Sequence, residues 1–216
     1  MTVRINPQKI KDIFLILNRE IPNANIELEY DSPYSLLISV ALSARSTDVQ
    51  VNKATEKLFK VANTPESMLE LGYQGLCGYI NTIGLYKTKA RNIILLSKIL
   101  IDKYKGNVPN TRELLMELPG IGLKSANVVL NVLFKKPTVA VDTHVFRVAK
   151  RLGMSLARTP EQMSSELEDL FSQCLPSDLL LIAHHLLVLH GRYTCKAIKP
   201  KCNDCPIRNL CHFVTS

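Results

Sequence analysis

The sequence has no tryptophan, and aromatic residues make up 6% of its 216 positions. Aliphatic side chains must therefore fill the core, without large aromatic clusters. No run of about 18 uncharged apolar residues occurs, which excludes a hydrophobic membrane-spanning helix. The longest apolar stretch, "LLLIAHHLLVLH", is short and carries three histidines. The opening "MTVRINPQKIKDIFLILNREIP" has no small-residue cleavage site and flanks its apolar stretch with charges. No secretory leader is expected, and the cytoplasm is the expected location. Acidic residues are in the minority: 19 Asp and Glu against 27 Lys and Arg, a net charge of +8 and a pI near 9.2. That balance favours an anionic partner, with nucleic acid first among the candidates. Internal repeats, low-complexity segments and long linkers are absent as well.

What is present reads as helix almost throughout. The hydrophobic fraction of 46% is enough for a folded core in one large domain or two small ones. Ala126, Val129, Leu130, Leu133 and Phe134 repeat at helical spacing, and Lys87–Lys105 reads as a helix closed by Gly106. Thr64-Pro65 and Thr159-Pro160 place a capping threonine before a proline at the first helical position, and Gln162 would complete a capping box with Thr159. "PTVAV", Pro137–Val141, has strand-like composition but no evident partner. About ten helices and an all-α fold are expected.

Four of the six cysteines crowd one segment, "CKAIKPKCNDCPIRNLC", as Cys195, Cys202, Cys205 and Cys211. Where thiols stay reduced, a C-x6-C-x2-C-x5-C pattern implies a metal centre that staples a short polar loop. Zinc and an iron–sulfur cluster both accept four cysteines. One short Cys-x-x-Cys knuckle rather than two favours iron–sulfur. Cys77 and Cys174 fit helical apolar patterns and are expected in the core. Lys196, Lys199 and Lys201 lie inside the loop, flanked by Arg192 and Arg208. These cations exceed the charge of about −2 on such a cluster, which suits contact with phosphates.

The stretch "LPGIGLKSA" joins the helix pattern of "TRELLMEL", capped by Thr111, to a second helix. Gly120 and Gly122 allow a tight turn and let an anion approach the amides at the helix start. The result is a helix–hairpin–helix, a module that grips phosphate without reading sequence. A Walker-type loop is excluded by spacing. Lys124 sits in the first helical turn, where a cation is ordinarily disfavoured. A neutral lysine amine attacks electrophilic carbon and forms Schiff bases, which gives that placement a purpose. Asp142, 18 residues on in "VAVDTHVFRVAKRLG", is placed to cap the next helix. A lysine nucleophile with a carboxylate suits attack on a sugar carbon that develops positive charge. His184, His185 and His190 show no metal-binding spacing and read as packed core residues.

Together, "LPGIGLKSANVVLN", "VAVDTHVFRV", "HHLLVLHGRYTC" and the cysteine tail closely resemble the bacterial endonuclease III family of helix–hairpin–helix DNA glycosylases and abasic-site lyases. The likeness extends to "LLISVALSARSTDVQVNKAT" and "YINTIGLYKTKARNII". The resemblance implies two helical domains with a DNA-binding cleft between them. One is a six-helix barrel over residues 26–136. The other, from residues 1–25 and 137–216, would hold a [4Fe–4S] cluster. It implies a monomer acting on double-stranded DNA that contains damaged pyrimidines or abasic sites. Lys124 would be the nucleophile, Asp142 the catalytic carboxylate, Leu85 the wedge, and Arg45 the residue entering the gap left by a flipped base. Arg45 stands where the family usually has Gln, and Leu123 where Arg would be expected. A non-catalytic DNA-binding module, an electron carrier and a mismatch adenine glycosylase are the competing readings. The adenine glycosylases lack a lysine at the Lys124 position.

Overall fold

The computed structural model describes residues 6–215. Residues 1–5, which begin both the expected cluster domain and the stretch read for a leader, lie outside the described residues, as does residue 216. The helices are α1 Pro7–Glu20, α2 Pro33–Ser43, α3 Asp48–Leu58, α4 Pro65–Ile80, α5 Tyr86–Tyr104 and α6 Arg112–Met116. They continue with α7 Leu123–Phe134, α8 Thr143–Leu152, α9 Pro160–Cys174, α10 Ser177–Tyr193 and α11 His212–Thr215, with a 3-10 turn at Arg208–Leu210. No strand occurs among the described residues. The fold is all-α, and no helix is long and apolar enough to cross a membrane among the described residues.

Helix starts follow the capping chemistry. Ser32, Thr47, Thr64, Thr111 and Thr159 each accept a hydrogen bond from the third helical N–H, and proline opens α1, α2, α4 and α9. The expected box at Thr159 differs in its second half. Gln162 Oε1 accepts from the Arg158 N–H at 3.2 Å, one residue before the cap. Helix α5 ends at Tyr104, and Lys105 (φ 53°) precedes Gly106 as the first left-handed residue of its closure. In the Pro137–Val141 segment, Val139 bonds to side chains of α9 rather than to a partner strand. Val139 N–H donates to Glu168 Oε1 at 3.0 Å, and Ser164 Oγ donates to Val139 O at 2.7 Å.

The chain divides into two compact units, one of residues 27–134 and one of residues 1–26 with 135–216. In the first, α2 is buried on every face, with Ser35 and Ser39 among otherwise mainly apolar side chains. Tyr34 to Leu42 are all buried, and the helix packs on α3, α5 and α7. In the second, Ile10, Ile13, Phe14 and Leu17 form one buried stripe of α1 against α9 and α10. Phe14 meets Phe171 edge to face, with centroids 4.9 Å apart. Cys77 and Cys174 are half-buried rather than central; Cys174 packs on the rim of this second core.

Candidate functional site

The turn before α7 is built around Gly120. Its φ of 86° is left-handed, and a Cβ there would stand 3.0 Å from Asn92 Nδ2. Any other residue would be strained and crowded at once. Gly122 is different: it is not among the left-handed glycines, and a Cβ there would meet nothing within 4 Å. Gly122 thus contributes open space beside the helix start rather than an unusual backbone shape. The ladder of α7 begins with Ala126 N–H donating to Gly122 O at 2.9 Å, which leaves the preceding amides outside it. Arg112 Nε donates to Asn127 Oδ1 at 2.9 Å and braces α6 on α7. Lys124, the second residue of α7, is exposed, so no dry pocket encloses its amine.

Asp142 caps α8. Its Oδ1 accepts from both the His144 and Val145 N–H groups, at 2.8 and 2.9 Å. Both bonds use one oxygen, and Oδ2 takes part in neither. The carboxylate is half-buried and held in orientation by the backbone. Lys124 belongs to one unit and Asp142 to the other.

Helix α8 also organises the cysteine loop. Arg147 Nε donates to Cys195 O at 3.0 Å, and its Nη2 donates to Gly191 O at 2.8 Å. One turn on, Arg151 donates to Lys196 O at 2.7 Å and to Ala197 O at 3.1 Å, and its Nη1 lies 3.3 Å from Cys195 Sγ. The Arg151 guanidinium also lies over the Phe213 ring, 4.9 Å from its centroid. Gly191 lets α10 approach α8: a Cβ there would stand 2.9 Å from His144 Cβ. Cys195, Cys202, Cys205 and Cys211 are free thiols lining one recess of about 380 Å³, together with Val148, Leu152 and Ile207. Burial pushes the Cys205 and Cys211 thiols up, and burial holds His190, 3.9 Å from Cys205 Sγ, down to about 4. Among the described residues, no group of three or more His, Cys, Asp or Glu could hold a metal ion as placed. The four thiols surround a space rather than meeting at a point. Lys196, Lys199 and Lys201 are exposed around it, and Ile198 between them is 82% exposed.

Arg45, Leu85 and Gly120 come together on a third feature, a recess of about 560 Å³ in the first unit. Arg45 (φ 56°) and Leu85 (φ 60°) both have left-handed backbones. Such strain in residues other than glycine concentrates at functional positions. Leu85 is the greater anomaly, because it precedes a helix, where extended backbone is the rule, and its side chain is 60% exposed.

Sequence reasoning missed Lys89, Arg147 and Arg151. The two arginines lie one helical turn apart after Asp142, and that spacing was a usable signal for a shared task on one face. Nothing in the sequence marks Lys89, which reads as an ordinary surface lysine of α5 yet is 8% exposed.

Residues 38–173 match the family model of the HhH-GPD superfamily base excision DNA repair proteins. The chain is 51% identical over 206 residues to endonuclease III of Rickettsia conorii, covering 95% of this chain and 96% of the relative. It is 48% identical over 209 residues to endonuclease III of Escherichia coli, covering 97% of each. Among solved structures it is similar to a trapped endonuclease III–DNA covalent intermediate in an estranged-adenine complex, with a TM-score of 0.88, 42% identity and 98% of each chain covered. A non-covalent endonuclease III–DNA complex matches with a TM-score of 0.89 and 41% identity over 98% of this chain and 97% of that one.

Proposed function

We propose, from the premise that this chain belongs to the HhH-GPD superfamily of base excision DNA repair proteins and to its endonuclease III branch, that Lys124 and Asp142 carry its chemistry. The protein is a DNA glycosylase and abasic-site lyase that binds DNA. Its substrates are duplexes carrying oxidised pyrimidines or abasic sites, and one copy of the chain suffices in the cytoplasm.

The unit of residues 27–134 supplies the hairpin and the nucleophile; the other supplies the carboxylate and the cluster. Gly120, Gly122 and the free amides of α7 hold a backbone phosphate without reading sequence. Lys196, Lys199 and Lys201 contact further phosphates. Extruding a damaged nucleotide costs a few kcal/mol, and Leu85 and Arg45 fill the vacated stack. Lys124 Nζ attacks C1′, and the bond from C1′ to the base breaks, its electron pair leaving with the base, which then takes a proton from water. Asp142 stabilises the cationic sugar and takes up the proton that the amine loses. Oδ1 stays with the helix, which leaves Oδ2 for this work. The proton taken up by Asp142 passes to O4′ as the C1′–O4′ bond breaks, which gives a protonated Schiff base at C1′. Loss of a proton from C2′ then expels the 3′ phosphate and cuts the strand on that side. Water finally releases the sugar remnant and restores the amine.

Cys195, Cys202, Cys205 and Cys211 would hold a [4Fe–4S] cluster. The fit rests on four free thiols lining one apolar recess with an Arg151 N–H near one sulfur. When bound, the cluster supplies cross-links that hold the basic loop in shape.

The observation that carries this reading is a lysine at the open start of α7 beside the glycine turn, in a chain with these relatives. Borohydride added to the protein on a duplex with an oxidised pyrimidine should trap a covalent adduct, and Lys124→Gln should form none. A wild-type protein that yields no adduct, or a variant that yields as much, would overturn it. No observation favours a purely binding module or an adenine glycosylase.

A further inference from the structure

Lys89 is a buried cation on α5 with no carboxylate among its bonding partners. Its Nζ donates to Leu42 O at 2.9 Å, Ala44 O at 2.6 Å and Ser46 Oγ at 3.1 Å. Leu42 O and Ala44 O flank Ser43 at the C-terminal end of α2, where a cation is favoured by the helix dipole. Arg45 sits between Ala44 and Ser46, so two of these bonds grip the residues on either side of it. The same residue reaches the other flank. The Lys89 backbone N–H donates to Leu85 O at 3.0 Å, the first bond of the α5 ladder. Gly84 closes the arrangement, since a Cβ there would stand 3.5 Å from Arg45 O. One lysine is thus bonded to the segments that carry both left-handed residues, and it lines the recess they share.

We propose that Lys89 is a positioning residue: it fixes the separation of Arg45 and Leu85, and so sets how the protein fits around the base left unpaired opposite an extruded nucleotide. The inference rests on the assignment of Arg45 and Leu85 to that gap. Burial lowers the Lys89 pKa, which marks the ammonium as desolvated and dependent on its three acceptors. A helix cap alone would need the carbonyls of α2. Here the side chain also ties the Arg45 segment to the first turn of α5, which starts beside Leu85, whereas the backbone bond to Leu85 O would form with any residue but proline at this position.

The test compares duplex substrates with a single strand. Wild-type protein, Lys89→Met, Lys89→Arg, Ser46→Ala, Arg45→Ala and the Lys89→Met/Arg45→Ala double variant are assayed by single-turnover cleavage of an oxidised pyrimidine placed opposite guanine or adenine. Borohydride trapping on a single-stranded abasic oligonucleotide, which has no opposite base, is measured in parallel. Lys89→Met should lose about tenfold in duplex cleavage, as expected when a positioned group moves by a fraction of an ångström. It should lose no more than about twofold in single-strand trapping. The guanine-to-adenine ratio should shift, Lys89→Arg should recover most of it, and the double variant should be no worse than its more damaged parent. Equal losses on duplex and single strand, or additive losses in the double variant, would overturn the proposal and leave Lys89 a structural cap. If Lys89→Met fails to fold, Ser46→Ala removes one acceptor and must still shift the guanine-to-adenine ratio, or the proposal fails. Absence of wild-type cleavage on every substrate would instead count against the glycosylase reading.

Discussion

Helices α7 and α8 begin in opposite ways. Asp142 places a carboxylate at the start of α8, where the positive end of the helix welcomes it and two backbone N–H groups bind it. Lys124 places a cation at the start of α7, beside a glycine with nothing around it. The first arrangement stabilises its helix and, on the proposed role, serves the chemistry as well. The second gives up local stability, because a cation there is disfavoured by roughly 0.3–1 kcal/mol. On the roles proposed for Lys124 and Asp142, a local rule of helix chemistry is broken where an amine and open space are needed, and kept where a fixed carboxylate is needed.

The largest test separates the charge of Asp142 from its capping. Asparagine caps about as well as aspartate. Asp142→Asn should therefore keep the melting temperature while glycosylase turnover falls roughly 10²–10³-fold. Asp142→Ala should lose the activity and also about 1 kcal/mol of stability in a urea melt. An Asn variant with full activity would dissolve the contrast between the two helix starts.

Acid should sharpen it by loosening the α8 side first. His185 lies on α10, which packs on α8, and burial followed by the nearby Lys135 charge lowers its pKa to about 4. Below about pH 6.5 the unfolded chain takes up a proton that the folded chain refuses until about pH 4. The His185 contribution to stability is therefore full above that window and falls as pH drops through it, by at most about 1.4 kcal/mol per pH unit. Urea melts at pH 7 and pH 5 should show the loss, reduced in His185→Gln. Hydrogen exchange should place it in α10 and α8 before α7.

Gly122→Asp reverses the sign of charge facing the proposed phosphate. DNA affinity at moderate salt should fall about fivefold in a fluorescence titration. The smallest effect belongs to the loop: each of Lys196→Ala, Lys199→Ala and Lys201→Ala should reduce the salt slope of binding by about 0.9. A slope that stays put would remove that lysine from the interface.

Much of this was legible in the residues. Periodicity marks α7, Asp142 reads as a cap from its place before a helical pattern, and the cysteine spacing marks the recess that the thiols line. Each of these signals is local, within one turn or loop. The unread parts are distant pairings. Lys89 reaches carbonyls more than forty positions earlier, and Arg151 reaches carbonyls more than forty positions later. Only the packed chain brings such partners together. What Gly122 contributes is likewise set by its surroundings, which leave open space at the helix start, while its backbone is not left-handed.

The left-handed backbone at positions 45 and 85 bears on how the protein can evolve. Either residue could become glycine and shed roughly 1 kcal/mol of strain, against a similar entropic penalty in the unfolded chain. Thermal endurance is thus nearly indifferent to both side chains. A lineage screened for heat survival alone would let Arg45 and Leu85 drift, whereas, on the roles proposed for them, one screened for genome upkeep would keep them.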